Sequence, residues 1–323
     1  MLRRQFHVGI PFKYEVSLIK YIVKNQKPVV QTENKLRSSN KIPRPYSLKI
    51  LNNSHSEKLK LEPKWLDLYK KHNYIEYTTS DLNYVNNFFN STDVRFEWSS
   101  VSQEEYENPD GTVLELEDST LTNHMKKVSK ERILPEVVFL GSSNVGKSTL
   151  LNSLVTNFQR SSLENIARAS RRAGYTKSLN FFNIGNRFRL VDTPGYGYNS
   201  TTKQGNLTMM YIKNRKQLMK CYLLISSEKG FGSNDFGIID DMQENGIPFE
   251  IVFTKMDKLK NIEGFEKQIE GYKLDNVNKL PQFYFTNSET SKKIHKRFGL
   301  DILRLSIIQS CGLSIGLKPI KIK

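Results

Sequence analysis

A glycine-rich segment with a lysine and three hydroxyl side chains follows a short apolar run. The segment is GSSNVGKS, residues 141–148, and the run before it is VVFL. The pattern Gly-x4-Gly-Lys-Ser is typical of a phosphate-binding loop, in which glycines let consecutive backbone N–H groups point at phosphate oxygens. A helix that begins near Lys147 adds the positive end of its dipole. We therefore expect this loop to bind the phosphates of a nucleotide.

Two loop side chains have specific predicted roles. Lys147 is expected to reach the β- and γ-phosphates and to support the chemical step, and the hydroxyl of Ser148 is expected to bind Mg²⁺. The predicted nucleotide-binding residues of this segment are Gly141, Ser142, Ser143, Asn144, Val145, Gly146, Lys147, Ser148 and Thr149.

A carboxylate ends the second relevant segment, LVDTPGYGY at 190–198. Asp192 can hold Mg²⁺ through a water molecule. The backbone N–H of Gly195 can contact the γ-phosphate and let the segment move on hydrolysis. Asp-x-x-Gly alone is a weak pattern, but its position after the phosphate-binding loop makes it a strong indication of nucleotide binding. We predict Asp192 as a nucleotide and Mg²⁺ ligand, and Gly195 as a nucleotide-binding and catalytic residue.

The third segment, FTKMDKL at 253–259, predicts which base is bound. Asp257 can accept hydrogen bonds from N1–H and the 2-amino group of guanine, whereas adenine would leave this carboxylate unpaired. The aliphatic stem of Lys255 can cover the base. Thr254 stands where many GTPases have asparagine, which removes one contact to the base.

Two less specific segments complete the predicted site. Thr176 lies between the loop and Asp-x-x-Gly, where a switch segment must lie, and is expected to complete the Mg²⁺ shell and act in catalysis. A simple loop threonine is the alternative. Thr286, Asn287 and Ser288 end a strand, and backbone N–H groups of the last two are expected to touch the guanine carbonyl. A strand-end turn is the alternative there.

Strand-like and helix-like segments alternate from residue 135 onward. This rhythm predicts an α/β fold with a mostly parallel, doubly wound sheet and helices on both faces. Together with the motifs above, it indicates a P-loop NTPase G domain with an N-terminal extension. Ligands of such sheets bind beyond the carboxyl ends of the strands, where these motifs fall. The predicted strands are 136–140, 178–184, 187–192, 222–226, 249–254 and 282–286, and the predicted helices are 147–158, 203–219, 234–244, 262–273 and 299–309.

Charge divides the chain of 323 residues into regions. Residues 1–45 carry ten Lys or Arg and two acids among apolar residues, which predicts a transit segment and a mitochondrial matrix location; a basic RNA-binding arm is the alternative. Residues 46–134 are the predicted extension, with an exposed acidic loop at 101–123. Residues 135–312 are the predicted G domain, and 313–323 a basic tail.

Cys221 and Cys311 form no CxxC pair and are expected to be buried thiols. No apolar stretch is long enough to span a bilayer. The net charge of +16 suits a polyanionic partner.

The strings GSSNVGKSTLLN, YTKSLNFF, LVDTPGYGY and FTKMD together resemble the EngB family (also called YihA or YsxC) of ribosome-associated GTPases. The resemblance covers about residues 135–312. It departs from the family at Ser142, where arginine is typical, and at the base loop. It implies GTP or GDP with Mg²⁺ as ligands, and slow GTP hydrolysis during assembly of the large ribosomal subunit. The basic N-terminus indicates a mitochondrial member acting in that assembly or in mitochondrial translation.

Tyr196 stands where small signalling GTPases place the glutamine that orients the attacking water, which predicts slow intrinsic turnover. Asn144 is similar to the asparagine that holds K⁺ in related potassium-dependent GTPases, so K⁺ is a candidate cofactor. No catalytic base is identifiable.

The expected partners are the mitochondrial large ribosomal subunit and its rRNA, with the protein itself a monomer. Two other functions fit parts of the sequence: an RNA-binding protein with a vestigial G domain, and a P-loop ATPase or kinase. The residues predicted to contact rRNA phosphates are Arg168, Arg171, Arg172, Lys177, Lys213, Arg215, Lys216, Lys220, Lys292, Lys293, Lys296, Arg297, Lys318, Lys321 and Lys323.

Overall fold

A computed structural model describes residues 61–73, 77–107, 133–157, 160, 162–167, 176–197, 201–275, 281–290 and 296–320. The predicted transit segment and most of the predicted acidic loop lie outside these residues. The helices are α1 (Leu61–His72), α2 (Thr79–Ser91), α3 (Gln103–Glu107), α4 (Lys147–Val155), α5 (Thr202–Asn214), α6 (Ser233–Glu244), α7 (Ile262–Asp275) and α8 (Leu300–Ser310). The strands are β1 (Val94–Ser100), β2 (Glu136–Gly141), β3 (Leu179–Ile184), β4 (Phe188–Asp192), β5 (Leu218–Ser226), β6 (Phe249–Thr254) and β7 (Phe283–Phe285).

Seven strands form one sheet in the order β1-β3-β4-β2-β5-β6-β7. The pairs from β4 to β7 are parallel, and β3 is antiparallel to both of its neighbours. Phe181 and Phe182 are adjacent in β3 and both buried. Because adjacent strand residues point to opposite faces, both faces of the sheet are covered. These features confirm the predicted α/β fold with a mostly parallel sheet.

Local chemistry explains why the central elements form as predicted. Every residue of β2 is buried, as a continuous apolar run in a parallel sheet requires. Residues 185–187 join β3 to β4, and within them Gly185 and Asn186 have φ values of 56° and 54°, the left-handed conformation that glycine and asparagine adopt most readily. The free thiols of Cys221 and Cys311 are buried, as expected.

Two predicted helix ends are wrong by several residues. The helix predicted to reach 219 ends at Asn214, because Arg215 leaves the helix to bind Glu136 and Leu218 already begins β5. The helix predicted to reach 158 ends at Val155. There Thr156 turns to an extended conformation, and its carbonyl accepts a hydrogen bond from a buried arginine, Arg304.

The predicted extension contributes to the same sheet. Strand β1 pairs with β3 along an outer edge, and α2 packs against α8. Part of the predicted acidic loop forms α3, and Tyr106 in that helix is fully buried, so the expected exposure is wrong for this residue. The boundary at residue 135 stays a prediction.

Helix α1 protects the opposite edge of the sheet. The side-chain amide of Asn73 donates to the carbonyl of Phe283 at 2.7 Å and accepts from its N–H at 2.7 Å, as a neighbouring strand would. Such coverage prevents an edge strand from pairing with another chain. Among the described residues, no helix is both long enough and apolar enough to cross a membrane.

Candidate nucleotide site

The loop between β2 and α4 has the backbone geometry of an anion cradle. Gly141 and Gly146 have φ values of 155° and 114°, and Asn144 has a φ of 63°. A side chain at Gly141 would lie 2.8 Å from the carbonyl oxygen of Leu224. Glycine is therefore required where the loop leaves the sheet, because β5 passes directly beside it. Val145 is buried, and Thr149 lies in the first turn of α4.

Lys147 folds back inside this loop. Its ammonium donates to the carbonyls of Gly141 at 2.8 Å and Ser142 at 3.2 Å. Burial lowers the pKa of Lys147 to about 8, and the nearby charge of Asp192 only partly offsets this effect. A bound anion would stabilise this buried cation, which fits a phosphate-binding role.

Ser148 and Asp192 form the oxygen pair expected of a Mg²⁺ site. The Ser148 hydroxyl donates to Oδ2 of Asp192 at 2.7 Å. The other oxygen, Oδ1, is buried without a hydrogen-bond partner among the described residues. Burial raises the pKa of Asp192 more than Lys147 and the hydrogen bonds lower it. An unpaired buried carboxylate beside a hydroxyl suits Mg²⁺, which prefers oxygen ligands, so these residues fit the ion.

Thr176 and Asp192 line the same cavity, which has a volume of about 530 Å³. The other residues that line the cavity are Phe96, Ser99, Ile166, Ala167, Lys177, Ser178, Asn180 and Phe182. The structure thus places Thr176 and Asp192 on one cavity, and the role of Thr176 as a Mg²⁺ ligand stays a prediction.

Gly195 packs directly on the loop. A Cβ atom at Gly195 would lie 2.8 Å from Cα and 2.9 Å from N of Ser143. The next residue, Tyr196, donates its N–H to Gly141 at 3.3 Å and accepts from the N–H of Ser143 at 3.0 Å. The Tyr196 hydroxyl donates to Oδ1 of Asp235 at 2.5 Å, a partner that the sequence analysis did not identify.

The predicted base-binding segment is tied to the same loop. The Thr254 hydroxyl donates to the carbonyl of Val145 at 2.8 Å, and the Lys255 ammonium donates to the carbonyl of Asn144 at 2.5 Å. Thr254 therefore joins β6 to the loop. The sequence analysis noted only that Thr254 replaces an asparagine, and it did not predict this role. Asp257 follows in a 3₁₀ turn (Met256–Lys258) and is half-buried.

Backbone hydrogen bonds hold the segment that follows β7 in place. Thr286 is buried, and its N–H donates to the carbonyl of Phe253 at 2.7 Å. The N–H of Asn287 donates to the carbonyl of Phe298 at 3.0 Å, and the reverse bond also forms. Because the Asn287 N–H is engaged in this way, the predicted contact to guanine rests on Ser288, which is half-buried.

Four of the basic residues predicted to contact rRNA make intramolecular contacts. Arg215 donates to both carboxylate oxygens of Glu136, Lys213 pairs with Asp241, and Lys220 pairs with Glu250. Arg297 is buried and donates to the carbonyls of Ser153, Asn157 and Arg160. Sequence shows a positive charge but not its partner. Burial keeps Arg297 from rRNA, so that assignment is wrong, whereas the contacts of Lys213, Arg215 and Lys220 to rRNA stay predictions. Lys177, Lys216, Lys296 and Lys318 are exposed, and Arg168, Arg171, Arg172, Lys292, Lys293, Lys321 and Lys323 lie outside the described residues.

A buried arginine binds the carboxyl end of α4, the helix that follows the loop. Arg304 is fully buried in α8 and donates to the carbonyls of Leu154 and Thr156 at the end of α4. A cation at this end of a helix complements its dipole. The one arginine inside the apolar segment LDILRLSII was the available signal for this role.

Known proteins resemble this chain in sequence. Residues 136–255 match the family model described as 50S ribosome-binding GTPase. MIOREX complex component 8 of Saccharomyces cerevisiae is 42% identical over 281 residues, which cover 86% of this chain and 88% of that protein. The probable GTP-binding protein EngB of Christiangramia forsetii is 38% identical over 167 residues, covering 49% of this chain and 80% of that protein.

One solved structure of a probable GTP-binding protein EngB covers 55% of this chain and 98% of its own, at 20% identity and a TM-score of 0.39. The sequence matches to the two relatives extend over more than two thirds of each relative. The chain belongs to the EngB family of GTP-binding proteins.

Proposed function

We propose that this chain binds GTP with Mg²⁺ and hydrolyses it slowly, as a switch in assembly of the mitochondrial large ribosomal subunit or in mitochondrial translation. One observation carries the proposal. Hydrogen bonds from Ser148 to Asp192, from Thr254 to Val145 and from Lys255 to Asn144 join segments 44, 109 and 111 residues apart around one loop. These are the segments that a guanine nucleotide must contact together.

The phosphates would lie against the N–H groups of residues 141–149, with Lys147 neutralising their charge. Ser148, Thr176 and Asp192 would hold Mg²⁺, which supplies positive charge to the phosphate oxygens during transfer. The N–H of Gly195 would contact the γ-phosphate. Lys147, Thr176 and Gly195 are thus the proposed catalytic residues.

The base would lie beside Lys255 and Asp257, with the segment 286–288 at its carbonyl. Calorimetry with GTP, GDP and ATP tests this assignment, and a clear preference for the guanine nucleotides is expected. Asp257→Asn should move the preference toward xanthine nucleotides, because the amide then presents a donor to the base. Asp240→Asn, which changes an exposed acid on α6, should leave selectivity unchanged. Equal binding of GTP and ATP would refute the proposal.

Slow turnover is supported by the position of the Tyr196 hydroxyl, which is bonded to Asp235. Turnover compared in KCl and NaCl at equal ionic strength tests the proposed K⁺ site. Asn144 has a positive φ, so Asn144→Gly removes the amide without straining the backbone. We expect faster turnover in KCl and loss of that difference in Asn144→Gly. Equal rates in both salts would contradict a role for K⁺.

Binding to rRNA is supported by the net charge of +16, the family description and the exposed lysines. Ribosome affinity should then fall steeply as salt increases. For each phosphate that is contacted, the logarithm of the binding constant should fall by about 0.9 or less for each tenfold rise in salt concentration. Replacing Lys177, Lys216, Lys296 and Lys318 by Gln should flatten this dependence. The matched control replaces four other exposed lysines, Lys70, Lys229, Lys260 and Lys267. The same flattening in both variants would indicate a general charge effect rather than an rRNA contact surface.

A mitochondrial location rests on residues 1–45. A reporter fused to these residues should enter mitochondria, and substitution of their ten Lys and Arg by Gln should prevent entry. A reporter that stays in the cytosol would contradict the proposed location.

A further inference from the structure

Tyr196 is held at its backbone and at its side chain. The backbone pairs with Gly141 and Ser143 of the loop, and the hydroxyl donates to Oδ1 of Asp235 at 2.5 Å. Burial, with the negative charge of Asp235, raises the pKa of the Tyr196 phenol well above its usual range. The phenol therefore stays protonated and keeps its role as the donor in this hydrogen bond.

Asp235 is itself fixed by a second contact. Its other oxygen, Oδ2, accepts the N–H of Gly232 at 2.8 Å, which caps the first turn of α6. The residue is 8% exposed, so the carboxylate is largely shielded from water. A hydrogen bond to a shielded, rigidly held carboxylate is stronger than one between neutral groups in water.

This arrangement decides where Gly195 lies. Gly195 precedes Tyr196 and packs on Ser143 with no room for a side chain between them. In the proposed binding mode a γ-phosphate lies between the loop and the Gly195 N–H, where the close contact with Ser143 leaves little space. Binding of the γ-phosphate would then require Gly195 to move away from the loop, and the Tyr196–Asp235 hydrogen bond would oppose that movement.

We propose that Asp235 is a positioning residue: through the Tyr196 hydroxyl it holds Gly195 against the loop and so selectively weakens the binding of a nucleoside triphosphate. A nucleoside diphosphate lacks the γ-phosphate and does not require Gly195 to move. The inference rests on the proposed function, since it concerns the relative affinities for GTP and GDP.

The test uses Tyr196→Phe, which removes only the hydroxyl, and Asp235→Ala, which removes the acceptor. The affinity for a non-hydrolysable GTP analogue, divided by that for GDP, should rise about tenfold in each variant, the size expected for one hydrogen bond to a charged group. The double variant should also show about tenfold rather than a hundredfold, because both changes remove the same contact.

Each variant has a matched control. Tyr222→Phe deletes another buried, hydrogen-bonded tyrosine hydroxyl, and Asp81→Ala deletes the equivalent helix-capping acid of α2. Both should leave the affinity ratio unchanged. Circular dichroism melting verifies that every variant is folded. Without nucleotide, hydrogen exchange at the Tyr196 amide should accelerate about tenfold in Asp235→Ala but not in Asp81→Ala.

The possible results separate the two proposals. Binding of both nucleotides with an unchanged ratio in Tyr196→Phe and Asp235→Ala would overturn the role of Asp235 and leave the proposed function intact. If the unaltered protein binds neither nucleotide, both proposals fail together.

Discussion

Two buried carboxylates at opposite ends of the central sheet differ in their hydrogen bonding. At the amino end, the carboxylate of Glu136 is fully buried and receives Arg215 at 2.7 and 2.8 Å and Tyr211 at 2.8 Å, with Arg189 at 3.5 Å. At the carboxyl end, Oδ1 of Asp192 is buried without a partner among the described residues. The Glu136 carboxylate is fully hydrogen-bonded, whereas the Asp192 carboxylate keeps one oxygen available to a ligand.

This difference separates the part that maintains the fold from the part that binds. Arg215 also donates to the carbonyl of Tyr106 at 2.7 Å, so the paired end joins α3, α5 and β2. Buried charges with full sets of partners hold elements in register, and loss of one partner is costly. An unpaired buried carboxylate lowers stability in the free protein, and a bound cation can recover that loss.

The largest expected effect tests the paired end. Glu136→Ala should lower the free energy of unfolding by about 3–5 kcal/mol, because it leaves Arg189 and Arg215 buried without their shared carboxylate. Denaturant unfolding followed by circular dichroism measures this change. Glu244→Ala, at an exposed position on α6, should change stability by no more than about 0.5 kcal/mol. Equal losses in the two variants would show that the Glu136 contacts contribute little to the fold.

The second prediction tests the ligand end, with the opposite sign. Asp192→Asn should leave the free energy of unfolding of the nucleotide-free protein unchanged or raise it by about 1 kcal/mol, since burial disfavours the charge that it removes. The affinity for a GTP analogue with Mg²⁺ should fall about a hundredfold. Asp240→Asn is the control for both measurements. A loss of stability as large as that of Glu136→Ala would remove the contrast between the two ends.

The same contrast explains how far sequence alone could predict this molecule. The ligand end was predictable because phosphate chemistry fixes residue types at short spacings, as in residues 141–148 and 253–257. The paired end was not, because the partners of Glu136 lie 53, 75 and 79 residues away. Arg215 was therefore assigned to rRNA, since its charge was visible in the sequence and its partner was not.

The same division applies to the strands that the sequence could and could not predict. Apolar runs such as β2 and β6 were predicted to within a residue, because a parallel strand buried on both faces must be continuously apolar. Strand β1 was not assigned, since its burial alternates irregularly around a break in its register with β3. Its place in the sheet depends on pairing with residues 79 to 90 positions later, from Ser100↔Leu179 (179 − 100) to Val94↔Ile184 (184 − 94).

The smallest expected effect concerns His72, a buried group at the end of α1, the helix beside the edge strand β7. Its Nε2 has no hydrogen-bond partner among the described residues, and burial lowers its pKa to about 4, with Lys71 and Lys273 acting in the same direction. Between pH 6.5 and 4, His72 binds a proton in the unfolded chain but stays neutral in the folded chain. Stability is therefore unaffected by this group above pH 7 and falls as the pH drops from 6.5 to 4, by about 2 kcal/mol.

Comparison with His72→Gln isolates this effect from other titrations. The difference in free energy of unfolding between the two proteins should be constant from pH 7 to 8 and should shift in favour of the variant toward pH 4. A constant difference across the whole range would show that His72 is charged or paired in the folded protein. The expected result instead sharpens the contrast between structural and ligand-binding groups. The unpaired atom of His72 is tolerated because the group is neutral, whereas Asp192 holds an unpaired atom on a carboxylate, where a cation can bind.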